Sequence, residues 1–120
     1  KYKRKKSMQK LMQNVMGLSQ LKNADVVITN PTHVAVALQY RPESMALPKV
    51  VVKGKGFLAK MIMKRAASLS ISIMRVPPLA RALYQECEVN NPIPLDQQLN
   101  VAKIYRELIK MPGSKVFGNA

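Results

Sequence analysis

Residues 25–40, with the sequence DVVITNPTHVAVALQY, contain two β-rich runs separated by a short polar stretch. The first run is VVIT at 26–29 and the second is VAVAL at 34–38, and β-branched side chains of this kind favour strands. Between the runs lies Asn30-Pro31-Thr32-His33, and Asn and Pro are residue types that favour turns. The stretch therefore predicts two strands joined by a turn.

Further strands and helices are predicted on the C-terminal side of this pair. A third strand at 49–53 ends at Lys53-Gly54-Lys55-Gly56, which predicts a turn, and a short strand follows at 71–76. Between and after them, apolar residues at helical spacing predict three helices. Their predicted apolar positions are Leu58, Ile62, Ala66 and Leu69 after Phe57; Leu79, Leu83 and Cys87 after Pro77-Pro78; and Leu95, Leu99, Ala102, Tyr105 and Ile109 before Pro112.

The N-terminal residues predict one more helix, which is amphipathic and runs from Ser7 to near Gly17. Its apolar positions recur at spacings of three and four and are Met8, Leu11, Met12, Val15 and Met16.

Taken in order, these elements predict an α/β or α+β fold: a small mixed sheet of about four strands surrounded by about four helices, with an N-terminal linker helix. The helix between the third and fourth strands permits those two strands to pair in parallel. We divide the chain into a basic linker and helix at 1–20, one folding unit at 21–111 and a flexible tail at 112–120.

Composition excludes several classes of function. The chain has 120 residues, enough for one small domain, and a single cysteine, Cys87, which rules out an intramolecular disulfide framework and a cysteine-rich zinc site. It has no glycine-rich phosphate loop, no metal-ligand spacing and no paired carboxylates. We therefore expect no metal, no cofactor and no conventional hydrolase.

Charge is the most unusual property of the composition. The formal net charge is +14 at pH 7, and six basic residues crowd the first ten positions. Such a cluster attracts polyanions, either a nucleic acid or an anionic lipid surface, and charge alone does not distinguish them. The aromatic residues are not interleaved with basic ones, which argues against a dedicated nucleic-acid module. The six residues are Lys1, Lys3, Arg4, Lys5, Lys6 and Lys10.

The turn at Asn30 carries the one unusual chemical possibility. Because the nitrogen of Pro31 is tertiary, it cannot attack the Asn30 side chain, so the common route of asparagine ageing is closed. The reverse attack remains open: the Asn30 amide nitrogen can close a succinimide on its own main-chain carbonyl and expel Pro31. His33 could accept a proton near neutral pH, and Thr32 could stabilise the oxyanion through its backbone N–H or hydroxyl. The alternative is an inert β-turn.

Three stretches of this sequence resemble one known family, the cytoplasmic domain of the type III export switch proteins FlhB, YscU, SpaS and EscU. They are Asn30-Pro31-Thr32-His33, the strand at 34–40 (VAVALQY) and the run PPLARALY at 77–84, which occur in this order. The stretches LQY at 38–40 and PKVVVKG at 48–54 are more similar to the flagellar branch, that of FlhB, than to the injectisome branch.

The resemblance implies a function. Family members cleave themselves between the residues equivalent to Asn30 and Pro31, and pieces 1–30 and 31–120 would stay associated. The domain would switch the class of exported substrate and would not turn over as an enzyme. A membrane domain would precede Lys1, which would place the basic cluster at the cytoplasmic face of the bacterial inner membrane.

The resemblance also implies a surface for partners, which are export-apparatus proteins and secreted substrates. By position this apolar patch includes Leu47, Pro48 and Ala102, together with Tyr105 where the family has a leucine. Two alternatives stay open: an injectisome member of the same family, and a basic module that binds nucleic acid or anionic lipid and has an inert turn at Asn30.

Overall fold

The structure is a computed structural model that describes residues 2–114 and 116, with side chains from residue 8 onward. Its helices and strands follow the predicted order, and all four predicted strands form. Two 3₁₀ helices, Gly17–Asn23 and Leu95–Gln97, precede β1 and α4. The elements are α1 Tyr2–Met16, β1 Val26–Asn30, β2 Val34–Gln39, β3 Lys49–Lys55, α2 Phe57–Ser68, β4 Ser72–Arg75, α3 Pro77–Glu86 and α4 Gln98–Lys110.

The four strands form one mixed sheet in the order β3-β2-β1-β4. Strands β1 and β2 are antiparallel, with Val26 opposite Leu38 and Asn30 opposite Val34, and β2 and β3 are also antiparallel. The predicted parallel pairing of the third and fourth strands is wrong, because β4 lies parallel to β1 at the opposite edge. All five residues of β1 are buried, so this strand needs a hydrogen-bonded neighbour on each side.

The sheet buries an apolar cluster on each of its faces, because successive side chains of a strand point to opposite sides. Strand residues Val26, Ile28, Val36 and Leu38 pack with α3 and α4 on one face. On the other face, Val27, Ala35, Ala37 and Val52 pack with α2 and the first 3₁₀ helix. The predicted α+β architecture, with helices around a mixed sheet, is confirmed.

The predicted apolar face of the last helix is only partly right. Of its five predicted positions, Tyr105 is buried, whereas Leu95, Leu99, Ala102 and Ile109 are exposed. Helix α4 has apolar residues on more than one side, and the residues that pack into the core lie on the neighbouring stripe. The buried α4 residues are Val101, Ile104, Tyr105 and Leu108.

The N-terminal helix ends at Met16, near its predicted end, but it begins at Tyr2 instead of Ser7. Met8, Leu11, Met12, Val15 and Met16 are all exposed, and Asn14 is the buried residue of this helix among those described. None of the helices in the described part of the chain is long and apolar enough to cross a membrane.

Some predictions fall on residues for which the structure gives no side chain or no placement. The basic residues Lys1, Lys3, Arg4, Lys5 and Lys6 lie outside the described side chains, so of the cluster only Lys10 is described. Of the predicted tail at 112–120, residues 115 and 117–120 lie outside the described residues.

The predicted turn at Lys53-Gly54-Lys55-Gly56 is also corrected. Residues 53–55 belong to β3, and only Gly56 lies in the turn, where its φ of 59° is left-handed. Glycine adopts this backbone without the steric cost that other residues meet.

Candidate functional site

The Asn30–Pro31 bond lies in a tight turn between two paired strands. Asn30 is the last residue of β1 and pairs with Val34, the first residue of β2, so Pro31, Thr32 and His33 form the loop. The backbone N–H of His33 donates to the carbonyl oxygen of Asn30 at 2.9 Å. Proline in the second position and a φ of 70° at Thr32 in the third match a type II turn.

Thr32 gives this turn local backbone strain. Its φ lies in the left-handed region, which a β-branched residue seldom adopts, and such conformations cost on the order of 1–3 kcal/mol. A cut at the Asn30–Pro31 bond would free the turn to relax.

Neighbouring backbone holds the turn on both sides. The N–H of Gly56, just before α2, donates to the His33 carbonyl at 2.9 Å. The N–H of Val76, just before α3, donates to the Thr29 carbonyl at 3.1 Å. These contacts restrict both ends of the loop, so the Asn30–Pro31 peptide is held in a defined geometry.

Asn30 is largely buried as a residue, but the polar atoms of its carboxamide still reach solvent. Asn30 is 9% exposed, whereas Thr32 and His33 are exposed to solvent. Within the described part of the chain, no hydrogen bond engages the Asn30 side chain. Its amide nitrogen is therefore not tied to another partner and can turn toward the main-chain carbonyl carbon of the same residue.

The carbonyl that would be attacked already accepts a hydrogen bond. The donor is the backbone N–H of His33, and the predicted role of the Thr32 N–H or hydroxyl stays a prediction. This donor would stabilise negative charge that develops on the Asn30 oxygen. Thr32 contributes the left-handed backbone that brings His33 into position.

The chain contains a second Asn–Pro peptide, Asn91–Pro92, in a different setting. It lies in the connection between α3 and α4, where the Asn91 carbonyl accepts from the N–H of Val50 on β3 at 3.2 Å. Asn91 is exposed and no histidine follows it, since His33 is the single histidine of the chain. Asn91–Pro92 therefore has the same dipeptide as Asn30–Pro31 but lacks the tight turn between paired strands.

The four predicted patch residues line one cavity of about 520 Å³ between the β2–β3 loop and α4. Leu47 and Pro48 come from the loop, and Ala102 and Tyr105 come from α4. Sequence reasoning missed part of the lining, although the spacing of four between Gln98, Ala102 and Arg106 would have placed those three on one helix face. The further lining residues are Tyr40, Ala46, Ile93, Gln98, Val101, Arg106 and Ile109.

Tyr105, which lines the cavity, is held in place by Asp25, a residue that the sequence pattern did not single out. Its hydroxyl donates to Asp25 Oδ2 at 2.7 Å, and its ring meets that of Tyr40 edge to face with centroids 5.9 Å apart. Burial, followed by the charge of Asp25 and this hydrogen bond, raises the pKa of Tyr105. The phenol therefore stays protonated.

The turn and the cavity lie at opposite ends of β2. The strand begins at Val34, next to the turn, and Tyr40 follows its last residue and lines the cavity. Among the described residues, no group of three or more His, Cys, Asp or Glu side chains lies close enough together to hold a metal ion.

Comparison with known proteins identifies the family. Residues 1–108 match the sequence model of the FlhB HrpN YscU SpaS Family. The flagellar biosynthetic protein FlhB of Aquifex aeolicus (strain VF5) is 50% identical over 76 residues, which are 63% of this chain and 22% of that protein. FlhB of Salmonella typhimurium (strain LT2) is 46% identical over 81 residues, 68% of this chain and 21% of that protein. The chain thus spans about a fifth of the length of these relatives.

Solved structures agree with this assignment. The crystal structure of the cytoplasmic domain of FlhB from Shewanella putrefaciens has a TM-score of 0.79 at 30% identity and covers 88% of this chain and 87% of that chain. A mutated EscU C-terminal domain has a TM-score of 0.73 at 32% identity and covers 76% of this chain and 91% of that one. With its sequence match and its fold in agreement, the chain belongs to the FlhB HrpN YscU SpaS family.

Proposed function

We propose that this chain is the cytoplasmic portion of a component of a bacterial type III protein-export apparatus, most similar to the flagellar branch. It cuts its own backbone once, between Asn30 and Pro31, and the cut changes which class of protein is exported. The observation that carries the proposal is the turn: an Asn–Pro peptide whose carbonyl oxygen accepts a hydrogen bond from His33 N–H while the Asn30 carboxamide has no competing partner in the described residues.

The proposed reaction is an intramolecular acyl transfer. The Asn30 amide nitrogen bonds to the Asn30 carbonyl carbon, the bond from that carbon to the Pro31 nitrogen breaks, and one amide proton moves to the Pro31 nitrogen. The products are a succinimide at residue 30, which water later opens, and a new N-terminus at Pro31. Fixed geometry supplies most of the help, because an amide is a poor nucleophile. His33 relays the proton.

The test is mass spectrometry of the purified chain after incubation under native conditions. Wild type should yield a fragment that begins at Pro31, and Asn30→Ala should remain intact. Asn91→Ala is the matched control and should cleave like wild type, because Asn91–Pro92 lacks the turn. A wild-type chain that stays whole would refute the proposal.

The cavity beside α4 is the proposed receiving site for exported substrates. It is lined mainly by apolar side chains, and Leu47, Pro48, Ala102 and Tyr105 all contribute to it. Ala102→Trp would fill it and should weaken binding of purified export substrates about tenfold or more, as measured by fluorescence anisotropy. Lys103→Trp places the same ring at the neighbouring exposed position and should leave binding unchanged. Equal binding by all three proteins would exclude this cavity as the receiving site.

The basic segment at 1–10 is the proposed contact with the cytoplasmic face of the inner membrane. Its support is the six basic residues in ten positions, each of which adds about 1 kcal/mol near an anionic surface. Vesicles that contain anionic lipid should sediment the chain, and purely zwitterionic vesicles should not. Tighter binding to duplex DNA than to anionic vesicles would favour the alternative of a nucleic-acid module.

A further inference from the structure

Asp25 makes a part-buried set of contacts across the two pieces that a cut at Asn30 would produce. The residue lies just before β1, in piece 1–30, and its side chain is 8% exposed. Its carboxylate accepts from the Tyr40 N–H at 2.7 Å, from the Tyr105 hydroxyl at 2.7 Å and from Arg41 Nη1 at 2.8 Å. All three donors belong to piece 31–120.

The contrast with the other ion pair between the two pieces is large. Among the described residues, the other ion pair that joins them is Lys10–Glu88 at 3.1 Å, and its side chains are 55% and 60% exposed. Exposed pairs contribute little to stability, whereas a buried carboxylate that loses its donors is strongly unfavourable. Arg41 adds a second bond at this end, from Nη2 to the Asn23 carbonyl at 3.2 Å.

The position of Asp25 along β1 gives these contacts their importance. A cut after Asn30 releases the C-terminal end of β1, so the strand would begin to separate from that end. Backbone pairing with β2 and β4 does not depend on side-chain identity, so the pairing alone gives the strand no specific side-chain anchor. Asp25 lies just before the other end of the strand, where its bonds attach piece 1–30 through a specific side chain.

We propose that Asp25 is the clamp that keeps piece 1–30 bound to piece 31–120 after cleavage, with Tyr40, Arg41 and Tyr105 as its partners. The proposal rests on the proposed self-cleavage and names the residues that retain the product. Because Tyr105 also lines the cavity, the same carboxylate connects piece 1–30 to the proposed substrate site.

The test measures how fast piece 1–30 leaves the cleaved protein. The full chain is immobilised through its C-terminus, cleavage is followed on a denaturing gel, and piece 1–30 is measured in the wash over time. Asp25→Asn should release it at least tenfold faster than wild type, and Tyr105→Phe should release it a few-fold faster. Glu88→Gln, which breaks the exposed pair, should release it at the wild-type rate.

The release rate of a double variant distinguishes a clamp through Asp25 from a general loss of stability. If Tyr105 acts through Asp25, the double variant Asp25→Asn with Tyr105→Phe should release the piece no faster than Asp25→Asn alone. The clamp would be overturned if the two single increases in release rate multiplied in the double variant. It would also be overturned if Asp25→Asn released piece 1–30 at the wild-type rate. If Asp25→Asn does not fold, Tyr105→Phe becomes the deciding variant, and its release at the wild-type rate would overturn the proposal.

Failure of self-cleavage and failure of the clamp give different results. An uncut wild-type band on the gel refutes self-cleavage and says nothing of Asp25. In that event, a protease recognition sequence is inserted after Thr32 in the Asn30→Ala chain. The added protease then cuts the chain at the same turn. The same release measurement then applies, with the same expected rates and the same overturning results.

Discussion

At the scale of single residues, the least expected feature is a buried lysine. Lys53 is 3% exposed, and its ammonium donates to the carbonyls of Tyr84 at 2.8 Å and Cys87 at 3.0 Å, at the C-terminal end of α3. It also lies 5.0 Å from the centre of the Tyr84 ring. Burial is the main cause that lowers the pKa of Lys53, partly offset by the charge of Glu88. The lysine caps carbonyls that the helix leaves unpaired.

Removal of this ammonium should therefore destabilise the fold. Lys53→Met keeps a long apolar side chain but leaves the two carbonyls without their donor, and we expect a loss of about 1–3 kcal/mol in the free energy of unfolding. Denaturant titration measures it. The matched control is Lys55→Met, two positions along the same strand and exposed, which should change the free energy by less than about 0.5 kcal/mol. Equal stability of both variants would show that the cap contributes nothing.

At the scale of elements, the position of α2 against β3 depends on one glycine. A Cβ at Gly54 would lie 2.5 Å from Cγ of Leu58 and 2.9 Å from its Cβ, so Leu58 in the first turn of α2 occupies the space that a side chain would need. Strand β3 lies beside β2, which begins at the Asn30–Pro31 turn, and the Gly56 N–H donates to the His33 carbonyl, so this packing also supports the turn.

Gly54→Ala should push α2 away from the sheet. Overpacking of this kind costs about 1–3 kcal/mol, and the change should also slow cleavage at Asn30 because it disturbs the contact of Gly56 with the turn. Denaturant titration measures the loss of stability, and a denaturing gel measures the rate of cleavage. The double variant Gly54→Ala with Leu58→Ala should lose less stability than the sum of the two single losses. Strict additivity of the two changes would contradict the predicted clash.

At the scale of the whole molecule, the sheet joins residues 1–30 and 31–120 into one fold, and these are the two pieces that the proposed cut would produce. Strand β1 from piece 1–30 is central in the sheet and lies between β2 and β4, which both belong to piece 31–120. A cut at the turn removes no strand neighbour and no contact of either apolar cluster. The cleaved protein should therefore keep the fold of the intact chain.

The cut should nevertheless change how unfolding depends on concentration. Unfolding of the cleaved protein releases two chains, so its Tm should rise with protein concentration, whereas the Tm of the intact Asn30→Ala chain should not. Thermal melts at two concentrations about a hundredfold apart test this difference. A Tm of the cleaved protein that does not change with concentration would mean that the pieces do not separate on unfolding.

The sequence by itself determined the four strands, the helix order, the turn at Asn30 and the family, because these depend on local periodicity and on short motifs. Tertiary structure decided the rest. It placed β4 beside β1, because a fully buried strand needs partners on both edges, and it chose which stripe of α4 to bury, because several stripes are apolar. It also brought Asp25 to Tyr40, Arg41 and Tyr105, residues 15 to 80 positions away, through hydrogen bonds that form only once the sheet and α4 have packed together.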